Sequence, residues 1–182
     1  MTNIILPEAE LPLATRRKTK IKNFMCRTKP TDGDYLNQKD HEKRKAAKRR
    51  FVGPCNTYDC HGLTFAARRT TIIDSIETIL EEDDYFEIAA EDAGTGDVII
   101  YWSKPNLLSG IAGYIQHSGI VLGRADSGVL RIWSKWGHGD EWVHNFDDCP
   151  YNSDDVRYYR LNDDPRAPAR KLIRRRKLLY GG

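Results

Sequence analysis

The sequence contains no long apolar run, and its cysteines are few and scattered. No apolar stretch approaches the roughly 20 residues that a membrane-spanning helix needs, so we predict no membrane span. The four cysteines, Cys26, Cys55, Cys60 and Cys149, do not form the pattern of a disulfide framework. The first residues, MTNIILPEAELPLA, do not follow the order of a secretory signal. We therefore expect a reducing, cytoplasmic location, with export by another route left open.

Charge is unevenly distributed, although the net charge is only +3. Residues 1–50 carry 14 Lys and Arg against 6 Asp and Glu, a net of +8, whereas residues 71–164 carry 6 against 19, a net of −13. The last eighteen residues carry 7 basic groups and no acidic one. Basic ends indicate an acidic partner for residues 16–50 and 166–177: nucleic acid, an anionic membrane surface or the acidic body itself. Basic ends that only keep the chain in solution are the alternative.

Composition predicts one folded domain with a basic segment at each end. A chain of 182 residues is long enough to bury a core. Residues 1–34 are typical of an arm or linker, and residues 35–51 can form a polar helix without an apolar stripe. Because Gly53-Pro54 punctuates the chain, we place an N-terminal arm over 1–52, partly disordered or helical. The folded domain then covers 53–164 and a basic tail covers 165–182.

Hydrophobic periodicity is helical in the first part of the folded domain. Residues 60–69 are predicted to form a short helix. Thr70-Thr71 can cap a second helix over 72–82. Its apolar side chains fall on one face: Ile72, Ile73, Ile76, Ile79 and Leu80. Residues 83–96 are predicted to be a loop.

From Gly96 onward the period becomes that of strands. Apolar, β-branched runs predict four strands, over 96–103, 113–123, 129–137 and 156–161. The turn signal at 125–128 joins the second and third of them as a hairpin, and the acidic run before the last is predicted to be a connection. Helices followed by an antiparallel sheet of about four strands make an α+β fold.

Cys60 and His117 are the candidate reactive pair. Cys60 begins a predicted helix, where unpaired backbone N–H groups and the helix dipole favour the reactive thiolate. The N–H groups of Cys60 and His61 are candidate oxyanion donors, and Gly62 keeps side-chain bulk away from this corner. His117, at the mouth of a predicted strand, is the candidate base. A histidine that only hydrogen-bonds at a strand end is the alternative.

These residues resemble the NlpC-like branch of papain-fold cysteine peptidases and amidases. In that family an Asp-Cys-Ser-Gly-Leu type motif on a helix is followed by a Gly-Asp strand and a His-x-Gly-Ile strand. The corresponding residues here are Asp59-Cys60-His61-Gly62-Leu63, Gly96-Asp97 and His117-Ser118-Gly119-Ile120. The resemblance covers about residues 53–137, and its cysteine-before-histidine order separates it from permuted relatives such as the lecithin:retinol-acyltransferase-like proteins. The Ser-Lys-Trp-Gly run at 134–137 resembles a stretch in uncharacterised proteins of this type.

The resemblance implies a papain-like, NlpC-type fold with N-terminal helices packed on the sheet, and a catalytic-type domain over 53–164. It also implies a cysteine-dependent hydrolase or acyltransferase that acts on an amide, peptide or thioester bond without a cofactor. Cys60 would attack the carbonyl carbon, and His117 would transfer the proton. The acidic body favours neutral or basic substrates.

Two features depart from the family pattern. His61 stands where the family has serine, and the third polar residue is not fixed. A two-residue turn at Ser127-Gly128 would place His138 opposite His117. A three-residue turn at 126–128 would instead place Gly137 there and Ser134 opposite Ile120. We predict His138 as the orienting residue, with Ser134 second and His144 third, and a dyad without a third member as the alternative.

Other uses of these side chains remain open. Tyr58, His61 and Trp136 are candidate substrate contacts, whereas Trp133 is predicted to be a core aromatic. A zinc site would draw on Cys55, Cys60 and His61 together with His138, His144 or Cys149. The C-x4-C-H spacing is not a common zinc pattern and no second pair follows, so no metal is predicted. The alternative function is a catalytically inactive papain-like scaffold or binding protein that contacts nucleic acid through its basic arms.

Overall fold

The structure, a computed structural model, describes residues 10–26, 29, 48–49, 53–103, 113–151 and 155–163. Two helices, α1 (Cys60–Ala66) and α2 (Ile76–Glu82), precede most of the strands. The strands are β1 (Asn23–Phe24), β2 (Lys48–Arg49), β3 (Thr71–Ile72), β4 (Tyr85–Ile88), β5 (Val98–Trp102), β6 (Ile115–Arg124), β7 (Leu130–Lys135), β8 (Glu141–Asn145) and β9 (Val156–Leu161). Single 3₁₀ turns cover Ala90–Asp92 and Phe146–Asp148.

Seven strands form one antiparallel sheet in the order β2-β8-β7-β6-β5-β9-β4, and β1 pairs separately with β3. Six of the seven have four or more residues, and β2 has two. The mixed α+β prediction is confirmed, but a sheet of about four strands is too small. The missing strands are β4, which lies in the predicted loop over 83–96, β8, which lies in the predicted acidic connection, and β2.

The second helix begins later than predicted. Thr71 does not cap it, because Thr71 belongs to β3 and pairs with β1. The Ser75 hydroxyl caps it instead and accepts a hydrogen bond from the Thr78 N–H at 3.3 Å. Ile73, predicted on the apolar face, lies between the strand and the helix and is 60% exposed. The apolar periodicity of the sequence therefore extended the predicted helix too far toward the N-terminus, into strand β3.

Part of the predicted N-terminal arm packs on the folded domain. Ile21 is 3% exposed and belongs to the apolar cluster that includes the helices. The buried Asn23 side-chain amide accepts from the Leu11 N–H and donates to the Leu11 carbonyl, and its oxygen also accepts from the Thr70 hydroxyl. Residues 10–26 therefore contribute to the core of the folded domain, and the described part of this segment forms a strand at Asn23–Phe24. The helix considered over 35–51 lies outside the described residues, apart from Lys48 and Arg49 in β2, and so does the tail over 165–182.

The two faces of the sheet bury different apolar clusters. Val98, Ile100 and Trp102 of β5 face the helices, whereas Ile99 and Tyr101 face the opposite side. This alternation follows from the two-residue period of a strand. It continues into β6, where neighbouring side chains point to opposite faces. Ser118 contacts α1, and His117 contacts Tyr101 on the other face.

Asp97 of the Gly-Asp pair has a structural role at the start of β5. Its carboxylate accepts the Gly94 N–H at 2.8 Å and two bonds from the Arg160 guanidinium at 2.9 and 2.8 Å. Burial alone would raise the pKa of Asp97, but the bonds from Arg160 and Gly94 bring it below its usual range. Asp97 therefore ties β9 to the turn before β5, and this explains the acidic residue of that motif without a catalytic role.

Candidate functional site

Cys60 is the first residue of α1, and Asp59 caps that helix. The Asp59 carboxylate accepts the Gly62 N–H at 2.7 Å, which satisfies one of the N–H groups at the helix start. The helix ends one residue before Ala67, which has a left-handed φ of 49°. Cys60 is only 6% exposed, because α1 packs against β3, β6 and β7. The sequence prediction that Cys60 begins a helix is confirmed.

The environment of Cys60 stabilises the thiol more than the thiolate. Burial is the largest effect and raises the pKa of Cys60, and the neighbouring Asp59 carboxylate raises it further. Backbone N–H groups of Ser118 and His61 act in the opposite direction but are outweighed. The expected depression of the pKa by the helix start is therefore wrong for the resting state. A helix of seven residues offers only a small dipole, and its cap brings a negative charge beside the sulfur.

Three polar side chains dock α1 on β6. His61 Nδ1 and Ser118 Oγ lie 2.9 Å apart, and the Ser118 hydroxyl donates to Thr64 Oγ1 at 3.0 Å. Thr64 in turn donates to the Cys60 carbonyl at 2.9 Å. Burial lowers the pKa of His61, so this imidazole is neutral near pH 7. His61 thus fixes the cysteine helix on the strand that carries His117.

His117 is fully buried on the opposite face of β6 from Ser118. Its imidazole stacks on the ring of Tyr151, with centroids 4.1 Å apart and planes inclined by 9°. Tyr101 lies on another side, at 5.4 Å and 49°. Burial, followed by the proximity of the Cys60 and Cys149 sulfurs, raises the pKa of Tyr151. Tyr151 therefore stacks on His117 and lies within electrostatic range of Cys60.

A β-bulge in β6 decides which residues could orient His117. Near the turn, Gly123 pairs with Arg131, but beyond the bulge Ile120 pairs with Trp133. The register next to the turn is therefore the one predicted for a three-residue turn at 126–128, and beyond the bulge it shifts by one residue. Ser134 falls opposite Gly119, where a Cβ added to that glycine would lie 3.0 Å from the Ser134 Cβ.

The side chains of Ser134 and His144 form a hydrogen bond with each other on the far side of the sheet from the helices. His144 Nδ1 lies 2.6 Å from the Asn145 carbonyl and donates to it, so Nε2 accepts from the Ser134 hydroxyl at 2.8 Å. Ser134 Oγ also accepts the Trp136 indole N–H at 3.1 Å. Trp136, predicted as a substrate contact, is 1% exposed and stacks on Trp142 at 4.9 Å. These residues fill the interior on the far side of the sheet, and Trp136 does not wall an open cleft.

His138, our first choice as the orienting residue, lies in the turn between β7 and β8. Its side chain is exposed, and its carbonyl accepts the Cys55 N–H at 3.1 Å. This bond ties the segment before α1 to the turn. The backbone of His138 therefore has a structural role in positioning the segment that leads into the cysteine helix.

Glu141 is the centre of a polar network that the sequence did not reveal. Its fully buried carboxylate accepts the Tyr58 hydroxyl at 2.6 Å, the Trp133 indole N–H at 2.8 Å and two bonds from Arg68. Tyr58, predicted to contact substrate, is 4% exposed. Trp133 is half-buried rather than a core aromatic, and Arg68 lies 4.5 Å above its ring. No local signal marks Glu141, because a glutamate in a polar segment usually lies at the surface.

Lys135 of the Ser-Lys-Trp-Gly run belongs to the same network. It is fully buried, donates to the Gly139 carbonyl, and lies 4.8 Å above the Tyr58 ring. Burial lowers the pKa of Lys135, and the nearby Cys55 thiol and the Glu141 carboxylate partly offset that effect. The lysine therefore supports the turn before β8 and does not offer a surface cation.

The described residues contain no group of three or more His, Cys, Asp and Glu side chains that could hold a metal ion. In the same part of the chain all four cysteines are free thiols. No helix among these residues is long and apolar enough to cross a bilayer. No protein-family model, curated protein or solved structure matches the chain.

Proposed function

We propose that the chain is a cysteine-dependent hydrolase or acyltransferase of papain-like, NlpC-type fold, with Cys60 as nucleophile and His117 as base. The supporting observation is that Cys60 begins a capped helix docked through Ser118 on β6, one residue along the strand from His117. The sulfur lies beside the Ser118 N–H, and the His117 ring stacks on Tyr151.

The proposed reaction begins with transfer of the thiol proton from Cys60 to His117. The sulfur then attacks the carbonyl carbon of an amide, peptide or thioester, and the carbonyl electrons move to oxygen. The N–H of Cys60, at the start of α1, is a donor for that oxyanion. Collapse of this intermediate breaks the bond to the leaving group, which takes the proton from His117. Water, or another acceptor, then attacks the acyl-enzyme with His117 as base and regenerates the thiol.

The raised pKa of the Cys60 thiol makes His117 essential to this scheme. Burial and Asp59 both oppose an isolated thiolate, so the anion forms only when a base beside it takes the proton. A thiolate and an imidazolium formed together stabilise each other in a poorly solvated site. The resting site therefore holds a neutral thiol, and its reactivity depends on the histidine.

Neutral or basic substrates fit the charge of the domain best. Residues 71–164 carry a net charge of −13, counted as 6 basic against 19 acidic side chains, and this field repels anions. A peptide or amide substrate would approach where α1 meets β6. In this conformation Tyr58 and Trp136 are buried, so His61, which is partly exposed, is the remaining predicted contact.

A catalytically inactive scaffold on the same fold is the second candidate function. The buried thiol with its raised pKa favours it, because these are also properties of a structural cysteine. Binding of an acidic partner or nucleic acid through residues 16–50 and 166–177 belongs to this candidate. Most of those residues lie outside the described part of the chain.

Acylation by a generic activated ester separates the two candidates. The wild-type chain is incubated with p-nitrophenyl acetate, and acetylation is located by peptide mass spectrometry. An enzyme gives transient acetylation of Cys60 and catalytic release of p-nitrophenol, both lost in Cys60→Ser and His117→Ala. Cys26, a partly exposed thiol away from the site, is the internal control. Equal, slow acetylation of Cys60 and Cys26, unaffected by His117→Ala, would refute the enzyme.

A further inference from the structure

Tyr151 makes the closest described contact with the ring of His117, the base of the proposed mechanism. The three candidates predicted from sequence have other described roles. His138 is exposed in a turn, and Ser134 and His144 are bonded to each other and to their neighbours. The flat contact with His117 comes instead from Tyr151, which follows the 3₁₀ turn Phe146–Asp148.

We infer that Tyr151 is the positioning residue for His117: its ring fixes the plane of the imidazole. This inference rests on the proposed function. The stacking is close and nearly parallel, at 4.1 Å and 9°. Tyr101 closes a second side of the imidazole at 5.4 Å, so two aromatic rings restrict its rotation.

The hydroxyl of Tyr151 lies near the turn before β8 and within electrostatic range of Cys60. A Cβ added to Gly137 would lie 3.9 Å from that oxygen. Gly137 has a φ of 60°, a conformation that glycine adopts at low cost. Burial raises the pKa of the Tyr151 phenol, and the Cys60 sulfur raises it further. One side chain therefore stacks on His117 with its ring and interacts electrostatically with Cys60.

An aromatic face also suits the charge that His117 acquires. The ring of tyrosine carries negative charge on its faces and attracts a cation above it, by about 0.5–2 kcal/mol. The titratable groups around the pair are Tyr101 on β5, Cys149 and Tyr151 after the 3₁₀ turn, and Asp59 before α1. Burial raises the pKa of both Tyr101 and Tyr151, so the two tyrosines face His117 as neutral rings.

Two variants separate the ring from the hydroxyl. Tyr151→Phe keeps the ring and removes the oxygen, whereas Tyr151→Leu removes the ring. The first readout is the NMR titration of the His117 imidazole, assigned by comparison with His117→Ala. Loss of the ring in Tyr151→Leu should move the ring-current-shifted resonances of His117 and change its titration, and Tyr151→Phe should restore both. Unchanged His117 resonances and titration in Tyr151→Leu would overturn the inference.

The second readout is the rate at which iodoacetamide alkylates Cys60 across pH, followed on the Cys60 peptide by mass spectrometry. In Tyr151→Leu the rate at pH 7 should fall about tenfold, which corresponds to one pKa unit, and its pH profile should match that of His117→Ala. A wild-type profile in Tyr151→Leu would overturn the inference. A third outcome separates the inference from the proposed function. If Tyr151→Leu changes the His117 resonances, but Cys60 is alkylated at the same rate in the wild type and in His117→Ala, then the proposed enzyme fails and the positioning role stands.

Discussion

The Arg68 guanidinium donates two hydrogen bonds to the Glu141 carboxylate, from Nε to Oε1 at 2.6 Å and from Nη2 to Oε2 at 3.0 Å. Arg68 follows the end of α1, and Glu141 begins β8. The pair thus fastens the cysteine helix to the sheet from one end, while Ser118 holds it near the other. The geometry is bidentate, the arrangement in which an arginine contributes most.

Removal of the Glu141 carboxylate should destabilise the domain strongly. Glu141→Ala leaves the buried Tyr58 hydroxyl without its acceptor and opens space beside Trp133, so we expect a loss of about 3 kcal/mol in the free energy of unfolding. Urea denaturation followed by tryptophan fluorescence measures it. Glu91→Ala is the matched control, because Glu91 is exposed and should change stability by less than about 0.5 kcal/mol. Equal losses of unfolding free energy in Glu141→Ala and Glu91→Ala would show that the hydrogen bonds of Glu141 do not stabilise the domain.

The same carboxylate should make the fold sensitive to acid. Burial alone would raise the pKa of Glu141, but bonds from Arg68, Tyr58 and Trp133 bring it below its ordinary value. A depressed pKa contributes stability that is fully present above the ordinary glutamate value of about 4.3 and is lost as pH falls through the lower native value. Unfolding free energies measured from pH 7 downward should therefore fall below that point. Glu141→Gln should flatten this decline, and an unchanged slope would show that other carboxylates cause it.

Asp59 should have two separable effects, one on the helix and one on the thiol. Asp59→Asn keeps a good capping side chain and removes the charge that raises the pKa of Cys60. Alkylation of Cys60 should therefore extend to lower pH in this variant. Asp59→Ala removes both the capping side chain and its negative charge, so it should also lower the free energy of unfolding by about 1 kcal/mol through the lost cap. Asp126→Asn, in the exposed β6–β7 turn, is the control, and a shift of equal size there would argue against a local field.

The sequence was informative where one short-range pattern determined the structure. The strands β5, β6, β7 and β9 follow from β-branched runs, and the helix start at Cys60 follows from Asp59 as its cap. The strand β8 was missed because Glu141 and His144 are buried polar residues, which break the expected alternation. Their partners come from distant parts of the chain, and no local pattern encodes those contacts.

The orienting group was missed for a related reason. Turn length alone set the predicted register between β6 and β7, whereas the bulge between Val121 and Gly123 shifts it by one residue. Ser134, the candidate on β7, therefore lies opposite Gly119 and not opposite Ile120. Tyr151 comes from an acidic segment that was predicted to be a connection, and only the fold brings its ring onto the imidazole.

Gly62 should be the least replaceable glycine near the site. A Cβ at this position would lie 1.8 Å from the Thr70 carbonyl oxygen, which is backbone and cannot rotate away. Gly62→Ala should therefore force α1 away from the segment that follows it, and we expect a loss of about 3 kcal/mol or more. Gly94→Ala is the matched control, because nothing lies within 4 Å of its added Cβ.

Thermal unfolding of the two glycine variants, followed by circular dichroism, provides the comparison. If Gly62→Ala folds, its Cys60 should also become more accessible to iodoacetamide, since displacement of α1 uncovers a thiol that is now 6% exposed. A wild-type melting temperature together with wild-type alkylation in Gly62→Ala would contradict the close contact between α1 and Thr70. It would also remove the steric reason for a glycine two residues after Cys60.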